Sequence, residues 1–388
     1  MPCDICMIVH NDITNDSRVN REAATLTNQG WQVTIVCIVL DNNPKPAVEM
    51  LDGYTIIRVS PSWRRDANLK TMGKLTRLLL AIPSLIIQVR KTRARVIHAH
   101  DFIGLVLAAL AGIWRRPVVY DSHELFFART FTGLPPAILF ILKRLKSLEK
   151  FLAHRAVNVL TVGDEVAARL AVDLNIPKPV VIRNAVDLRT VGTVSVHYPT
   201  EEFRIVAHTG RIMSGRFLSE QVAALTHLPE DVALLLMGDG PAEKQLKEQA
   251  QTSGVGDRFL TVPPVLPQNI APTLAQAQVA LVLITSAAPS YHLSLPNKFF
   301  EAVAAGLPIV ASPITEVKRL LEHYDLGVIC DPSDPAQIAA AIMQVLEPAN
   351  HARYKANALR AREELNWAAE ERKLITVYQN LLGEPPAS

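Results

Sequence analysis

Residues 294–312 read Ser-Leu-Pro-Asn-Lys-Phe-Phe-Glu-Ala-Val-Ala-Ala-Gly-Leu-Pro-Ile-Val-Ala-Ser. Pro296 suits the first turn of a helix, where a missing N–H costs nothing. Lys298 and Glu301, three residues apart, then share one face of that helix. Gly306 ends it, and the apolar run 307–311 predicts a short buried strand. A helix N-terminus carrying a lysine is a ready anion site. A glutamate one turn further in can take two hydrogen bonds from a vicinal diol, as on a ribose. Diphosphate and ribose together describe a nucleotide. The plainer reading is an ordinary loop–helix–strand unit with a solvated Lys–Glu pair.

The same rhythm of apolar runs and helical patterns extends outward over the chain. Runs fall at 5–9, 33–39, 55–59, 96–98, 118–120, 157–161 and 180–182, with helical patterns at 18–28, 75–90, 135–154 and 164–174. It restarts with runs at 204–208, 233–237, 258–262, 279–284, 308–311 and 327–329. Continuous rather than alternating apolar strands, separated by helices, predict parallel sheets covered on both faces. At 388 residues the chain suits two domains. Residues 188–202 lack a clear period and predict a linker, so the expected division is 1–190, 191–365 and a final amphipathic helical segment, 366–388. In successive doubly wound domains, ligands lie at the carboxyl ends of the strands, in a crevice.

A hydrophobic fraction of 49% with 20% charged residues indicates a soluble globular protein with ample core. No run of about 18 uncharged apolar residues predicts a membrane span. No charged n-region followed by an apolar stretch predicts export, so a cytoplasmic protein is expected. Cys3 and Cys6 form a C-x-x-C, but positions three apart on a strand point to opposite faces, and small buried hydrophobes are the better reading. The net charge of +3 hides an asymmetry. Residues 1–190 carry 25 Lys and Arg against 16 Asp and Glu, a balance of +9, and the remainder carries 15 against 21, a balance of −6. A basic first half suggests an anionic partner, and charge alone fits nucleic acid or anionic lipid.

Several stretches carry candidate chemistry. His208-Thr209-Gly210-Arg211, with Ser214-Gly215-Arg216 close behind, follows the first strand pattern of the second half. A glycine turn there lets backbone approach a phosphate, and arginines grip it with paired donors. Two solvated arginines in a turn are the alternative. Gly238-Asp239-Gly240-Pro241 is a tight strand-to-helix turn. Asn184-Ala185-Val186-Asp187 reads as a turn in which Asn and Asp bond their own backbone. His98-Ala99-His100-Asp101 and Asp121-Ser122-His123-Glu124 close neighbouring strand patterns with ionisable groups facing the expected crevice. His98 precedes its strand end and reads as a packed core histidine. A His-x-His pair could bind metal, yet spacing sets no third ligand, so no metal is expected. Asp16 or Ser17 caps the first helix, with Arg18 pointing into the crevice.

Together with residues 294–312, these stretches resemble the motifs of glycosyltransferase family 4, over nearly the whole chain and most strongly over 204–331. The resemblance implies an α/β GT-B fold: two doubly wound, parallel-sheet Rossmann-like domains facing a central cleft, with the terminal helix crossing back to the first. It implies retaining transfer of a hexose-type sugar from a UDP- or GDP-linked donor to an acceptor hydroxyl, lipid-linked or in cell-surface polysaccharide synthesis. No cofactor is implied, the nucleotide sugar being a co-substrate. Arg216 and Lys298 are expected to stabilise the departing diphosphate, and His123 to hold the sugar. Gly210, Arg211, Gly238, Asp239, Ser294, Leu295, Asn297 and Glu301 are expected to hold the donor, Glu301 on the ribose. Asp16, Arg18, His100, Asp101 and Glu124 are expected on the acceptor side.

The chain departs from the family pattern at three places. Ser214-Gly215-Arg216 stands where a lysine–glycine pair is expected, and Ala185 replaces a usual glycine. Leu293 stands where a first glutamate commonly precedes Glu301 by eight residues, and His292 or Ser294 is the substitute at hand. These departures keep open another GT-B sugar-nucleotide enzyme, such as an epimerase, or a silent nucleotide-sugar-binding partner subunit. Finally, residues 63–95 interleave Arg64, Arg65, Lys70, Lys74, Arg77, Arg90, Lys91, Arg93 and Arg95 with apolar residues, and 143–150 continue the basic character. This fits either an interfacial surface for anionic lipid or a solvated basic face. The expected partners are therefore the donor, an acceptor and an anionic membrane surface on the cytoplasmic side, with no nucleic acid.

Overall fold

The computed structural model describes residues 3–14, 16–39, 45–60, 74–112, 116–128, 136–213, 215–285 and 289–384. Arg64, Arg65 and Lys70 of the expected basic face lie outside them, as does Ser214. The chain divides into two compact units: 1–127, 131–182 and 371–388 form unit 1, and 183–370, with 128–130, form unit 2.

Unit 1 is built on an eight-stranded sheet. Its strands are β1 (Ile5–Val9), β2 (Val33–Ile38), β3 (Val48–Leu51), β4 (Tyr54–Val59), β5 (Val96–His100), β6 (Val118–Ser122), β7 (Asn158–Thr161) and β8 (Val180–Val181). They lie in the order β3-β4-β2-β1-β5-β6-β7-β8. All neighbours are parallel except β3 and β4. These two are joined at Asp52-Gly53, both with positive φ, the two-residue hairpin loop whose twist matches that of its strands. The central strands β1 and β2 are buried at every residue, which is why they read as unbroken apolar runs. The helix Asp101–Leu110 follows β5 directly and was not expected: its residues are apolar on all sides, so no 3.6-residue period marks it. Among the described residues all four cysteines are buried and unpaired.

Unit 2 carries a six-stranded parallel sheet, β9 (Arg204–Thr209), β10 (Val232–Met237), β11 (Phe259–Val262), β12 (Val279–Val282), β13 (Ile309–Ala311) and β14 (Gly327–Ile329). The order is β11-β10-β9-β12-β13-β14. Along β10, Ala233, Leu235 and Met237 enter one core while Val232, Leu234 and Leu236 enter the other, so both faces of the strand are dry. The expected linker 188–202 is packed rather than loose. Gly192 N donates to Gln268 O, Ser195 N to Thr273 Oγ1 and Tyr198 OH to Thr273 O, all on the helix Pro267–Leu274.

The parallel strands of each sheet reverse their order at one switch point, between β1 and β5 in unit 1 and between β9 and β12 in unit 2. Ligands of doubly wound sheets bind at the carboxyl ends of strands at such switch points.

Candidate functional site

In unit 2 the switch point gathers the residues of the 294–312 stretch. Pro296 takes the N-cap position of the helix Asn297–Ala304, and Gly306 follows its end at φ +69°. The amphipathic spacing turns Phe299, Phe300 and Val303 into the core and leaves Asn297 exposed at the first turn. Lys298 is buried, which excludes the solvated pair, and its Nζ lies 2.8 Å from His208 Nε2 at the end of β9. The next strand residue, Thr209, donates its hydroxyl to Glu301 Oε2 at 2.7 Å. Two successive strand residues thus hold the two functional candidates of the facing helix.

Burial, reinforced by the Arg216 guanidinium and partly opposed by Glu301, lowers the Lys298 ammonium to about 7. The same burial, with Lys298 and Arg216, keeps His208 neutral, well below the usual histidine range. Arg216 is half-buried and sits over Gly210, its Nη1 3.5 Å from where a Cβ on that glycine would stand, whereas Arg211 is exposed.

The glycine turns are explained by packing. Gly210 N donates to Met237 O and Ile212 N to Asp239 O, so the loop after β9 runs against the loop after β10. A Cβ on Gly238 would lie 2.0 Å from Gly210 O, and one on Gly240 2.0 Å from Ile212 O. No side chain fits at either place. The Asp239 side chain is exposed at the turn tip. The Leu295 side chain lies in the hydrophobic core, which leaves its backbone as the group that could meet a donor. Ser294 is half-buried, and His292 is exposed with Nε2 3.2 Å from Thr315 Oγ1.

The switch point of unit 1 gathers a second cluster. Asp16 caps the helix Ser17–Asn28, accepting from Val19 N and from Asn11 Nδ2. Arg18 does not point outward as expected. It is 3% exposed and makes a two-pronged pair with Asp121, Nε to Oδ2 and Nη2 to Oδ1, both 2.8 Å. It also donates to Ile182 O and lies 3.1 Å from Glu22 Oε1. A buried, internally bonded guanidinium is a scaffold group rather than an acceptor contact. Burial opposes ionisation of Asp121, but Arg18, His123 and a hydrogen bond from His100 hold its carboxyl well below the usual range. Burial, aided by Asp121, pushes Glu22 up against the pull of Arg18.

Three histidines line this charge. His98 is buried, and the Tyr378 hydroxyl meets its Nδ1 at 2.8 Å. Burial holds the Tyr378 phenol well above its usual range, so it keeps its proton. His100, stacked on His98 with centroids 4.1 Å apart, is also fully buried rather than open to an acceptor. His123 keeps 19% of its side chain exposed, its Nε2 3.1 Å from both Asp121 Oδ2 and His100 Nδ1. Burial works against its charge, but Asp101 and Asp121 outweigh that and raise it to about 10. Asp101 opens its helix at φ +59°, a strained position for a non-glycine residue, and accepts from His123 N at 3.3 Å. Glu124 is half-buried, and its carbonyl accepts from Ser122 Oγ.

Glu22, His98, His100 and Asp121 each bring one potential ligand atom within 4.8 Å of the others. The Arg18 cation already compensates the two carboxylates of that set. The sequence alone drew no attention to Glu22, although it stands four residues after Arg18, and gave His208 and Thr209 no role beyond ending the strand before Gly210.

Two parallel-sheet Rossmann-like units, each with its polar cluster at a switch point, define the GT-B class of architecture. The chain matches sucrose-phosphate synthase from Thermosynechococcus elongatus with a TM-score of 0.77 at 20% identity, over 97% of this chain and 99% of that one. HepE from Anabaena, solved with UDP and glucose, matches with a TM-score of 0.70 at 16% identity, over 97% of this chain and all of that one. The family model "Glycosyltransferase Family 4" matches residues 17–190, and "Glycosyl transferases group 1" matches 204–348, so both halves of the chain match glycosyltransferase domains. A D-inositol 3-phosphate glycosyltransferase from Xylanimonas cellulosilytica is 29% identical over 188 residues, which span 47% of this chain and 44% of that relative.

Proposed function

We propose that the protein is a retaining glycosyltransferase that moves a sugar from a nucleoside diphosphate sugar, UDP- or GDP-linked, to an acceptor hydroxyl. The observation that carries this reading is the meeting of Lys298, Glu301 and Arg216 with Gly210 and the end of β9 at the switch point of unit 2. Glu301 takes the ribose hydroxyls, and the diphosphate lies at the N-terminus of Asn297–Ala304, against Lys298 and Arg216. In the reaction the bond between the anomeric carbon and the diphosphate oxygen breaks. A bond to the acceptor oxygen forms on the same face, and the acceptor proton passes to the departing diphosphate. The side chains position the reactants and offset the charge that develops on the leaving group. In unit 1, His123 and the carboxylates around it are the groups we assign to the transferred sugar and the acceptor.

A thermal-shift series with UDP-, GDP- and ADP-sugars tests the donor, because a ligand that binds the native state raises stability by mass action. A UDP- or GDP-sugar is expected to raise Tm and to be consumed only when an acceptor is added. Consumption without acceptor would point to an epimerase, and binding without turnover to a silent subunit.

We further propose a lipid-linked acceptor, reached by peripheral attachment to an anionic membrane on the cytoplasmic side. Leu79, Ile87, Leu110 and Phe151 are exposed on unit 1, as are Arg90, Lys91, Arg93, Lys143, Arg144 and Lys150. No helix among the described residues is long and apolar enough to cross a membrane. Vesicles of anionic lipid should sediment the protein at low salt and release it at high salt. Equal recovery in the supernatant with neutral and anionic lipid would favour a soluble acceptor.

A further inference from the structure

We propose that His208 is a positioning residue for Lys298: its Nε2 lone pair holds the Lys298 nitrogen in place, and a bound nucleoside diphosphate draws a proton onto that nitrogen. The inference rests on the donor site proposed above and assigns that site a proton linkage. The contact joins two buried side chains 90 positions apart in the chain, Nζ to Nε2 at 2.8 Å. A lysine ammonium has no lone pair, so when Lys298 is charged His208 Nε2 must accept, and the ring proton sits on Nδ1.

Gln221 completes the arrangement. Its amide nitrogen donates to Arg216 O at 3.0 Å, which leaves Oε1 as its acceptor. Gln221 Oε1 and His208 Nδ1 are both buried and make no hydrogen bond within ordinary limits. The amide bears on the ring in the sense that favours its charged form, against the burial that dominates. A small movement would join an Nδ1–H to that oxygen and fix the tautomer that Lys298 needs.

The titratable and charged groups facing Lys298 are His208 on β9, Arg216 on the loop after it, and Glu301 on its own helix. Of these, His208 is neutral, Arg216 repels a second cation, and Glu301 shares its charge with the Thr209 hydroxyl. Arg216 and Glu301 carry opposite charges, so no net negative charge holds the Lys298 proton, and burial lowers its ammonium to about 7. A diphosphate reverses the balance. It adds negative charge beside a desolvated nitrogen, so protonation becomes favourable, and a buffer proton is taken up with the ligand. His208 supplies the acceptor that keeps the new ammonium from standing buried and unpaired.

The test combines lysine 13Cε NMR with calorimetry of UDP, GDP and ADP binding at pH 8 in two buffers of different ionisation enthalpy. Lys298→Met assigns the Lys298 resonance. The wild type should titrate Lys298 well below the other lysines and take up most of one proton per bound nucleotide. His208→Leu should move the Lys298 titration further down, weaken nucleotide binding about tenfold and change the proton uptake. His208→Gln, which can still present an acceptor, should recover most of the affinity. Circular dichroism checks that each variant is folded. If a nucleotide binds but His208→Leu leaves both affinity and titration unchanged, the inference is overturned while the donor site stands. If no nucleotide binds yet His208→Leu still shifts the Lys298 titration, the donor reading falls and the His208–Lys298 coupling remains.

Discussion

The two switch points bury cations in opposite circumstances. In unit 1, Arg18 meets Asp121 through two hydrogen bonds and Glu22 at 3.1 Å. In unit 2, Lys298 meets a neutral histidine, and burial with Arg216 outweighs the pull of Glu301. The topology is the same and the electrostatics are reversed. A cluster that balances its own charge is complete before any ligand arrives, and it serves to hold His123 and Asp101 in place. A cluster whose buried lysine is held near neutrality gains from an added anion. The comparison teaches that burial of a charged group marks a ligand site when the surroundings disfavour its charge rather than hold it.

The largest expected effect lies in stability. Arg18→Met strands two buried carboxylates and should cost about 3–5 kcal/mol in urea unfolding, whereas Lys298→Met should leave stability at neutral pH unchanged or raise it. Equal losses in the two variants would break the contrast. Next in size, Glu301→Ala should weaken UDP binding by about 1–3 kcal/mol in a folded protein. His123→Ala, by comparison, should leave UDP binding alone and lower turnover. If turnover survives within about threefold, under a kcal/mol, His123 is structural only.

The smallest effect is in the slope of stability against pH, at most about 1.4 kcal/mol per pH unit for one proton. His123 rises from 6.5 to about 10 on folding, so its contribution is full below 6.5 and is lost as pH climbs through 10. Lys298 falls from 10.5 to about 7, so the unfolded chain binds the extra proton and stability increases between those values. His123→Gln should therefore remove a downward slope, and Lys298→Met an upward one, in unfolding measured from pH 6 to 10.

Residues 294–312 carried enough local signal to place a helix, its end and its lysine, because proline, glycine and apolar spacing act over a few residues. The parallel sheets were legible for a similar reason, since strands dry on both faces leave unbroken apolar runs. Strand β3 was not legible: its residues are mostly exposed, and Asp52-Gly53 was the one turn signal for its hairpin. The helix Asp101–Leu110 hid because Phe-Ile-Gly-Leu-Val-Leu-Ala-Ala-Leu has no polar face. Arg18 was misplaced because its partner Asp121 lies 103 positions away, and no spacing rule reaches that far. His208 and Lys298 are separated almost as widely. The outward character of His100 failed likewise, for its burial depends on His98, Asp121 and His123 arriving together.

Tyr378 belongs to the last stretch of unit 1, yet it follows all of unit 2 in the chain. On the ribosome, the first unit therefore waits for its final helix while some 190 further residues are made, roughly 10–40 s at ordinary elongation rates. During that interval His98 Nδ1 lacks its phenol partner, and the surface that Trp31 and Tyr378 cover together stays open to water. A chain cut after residue 182 would remain in that unfinished state.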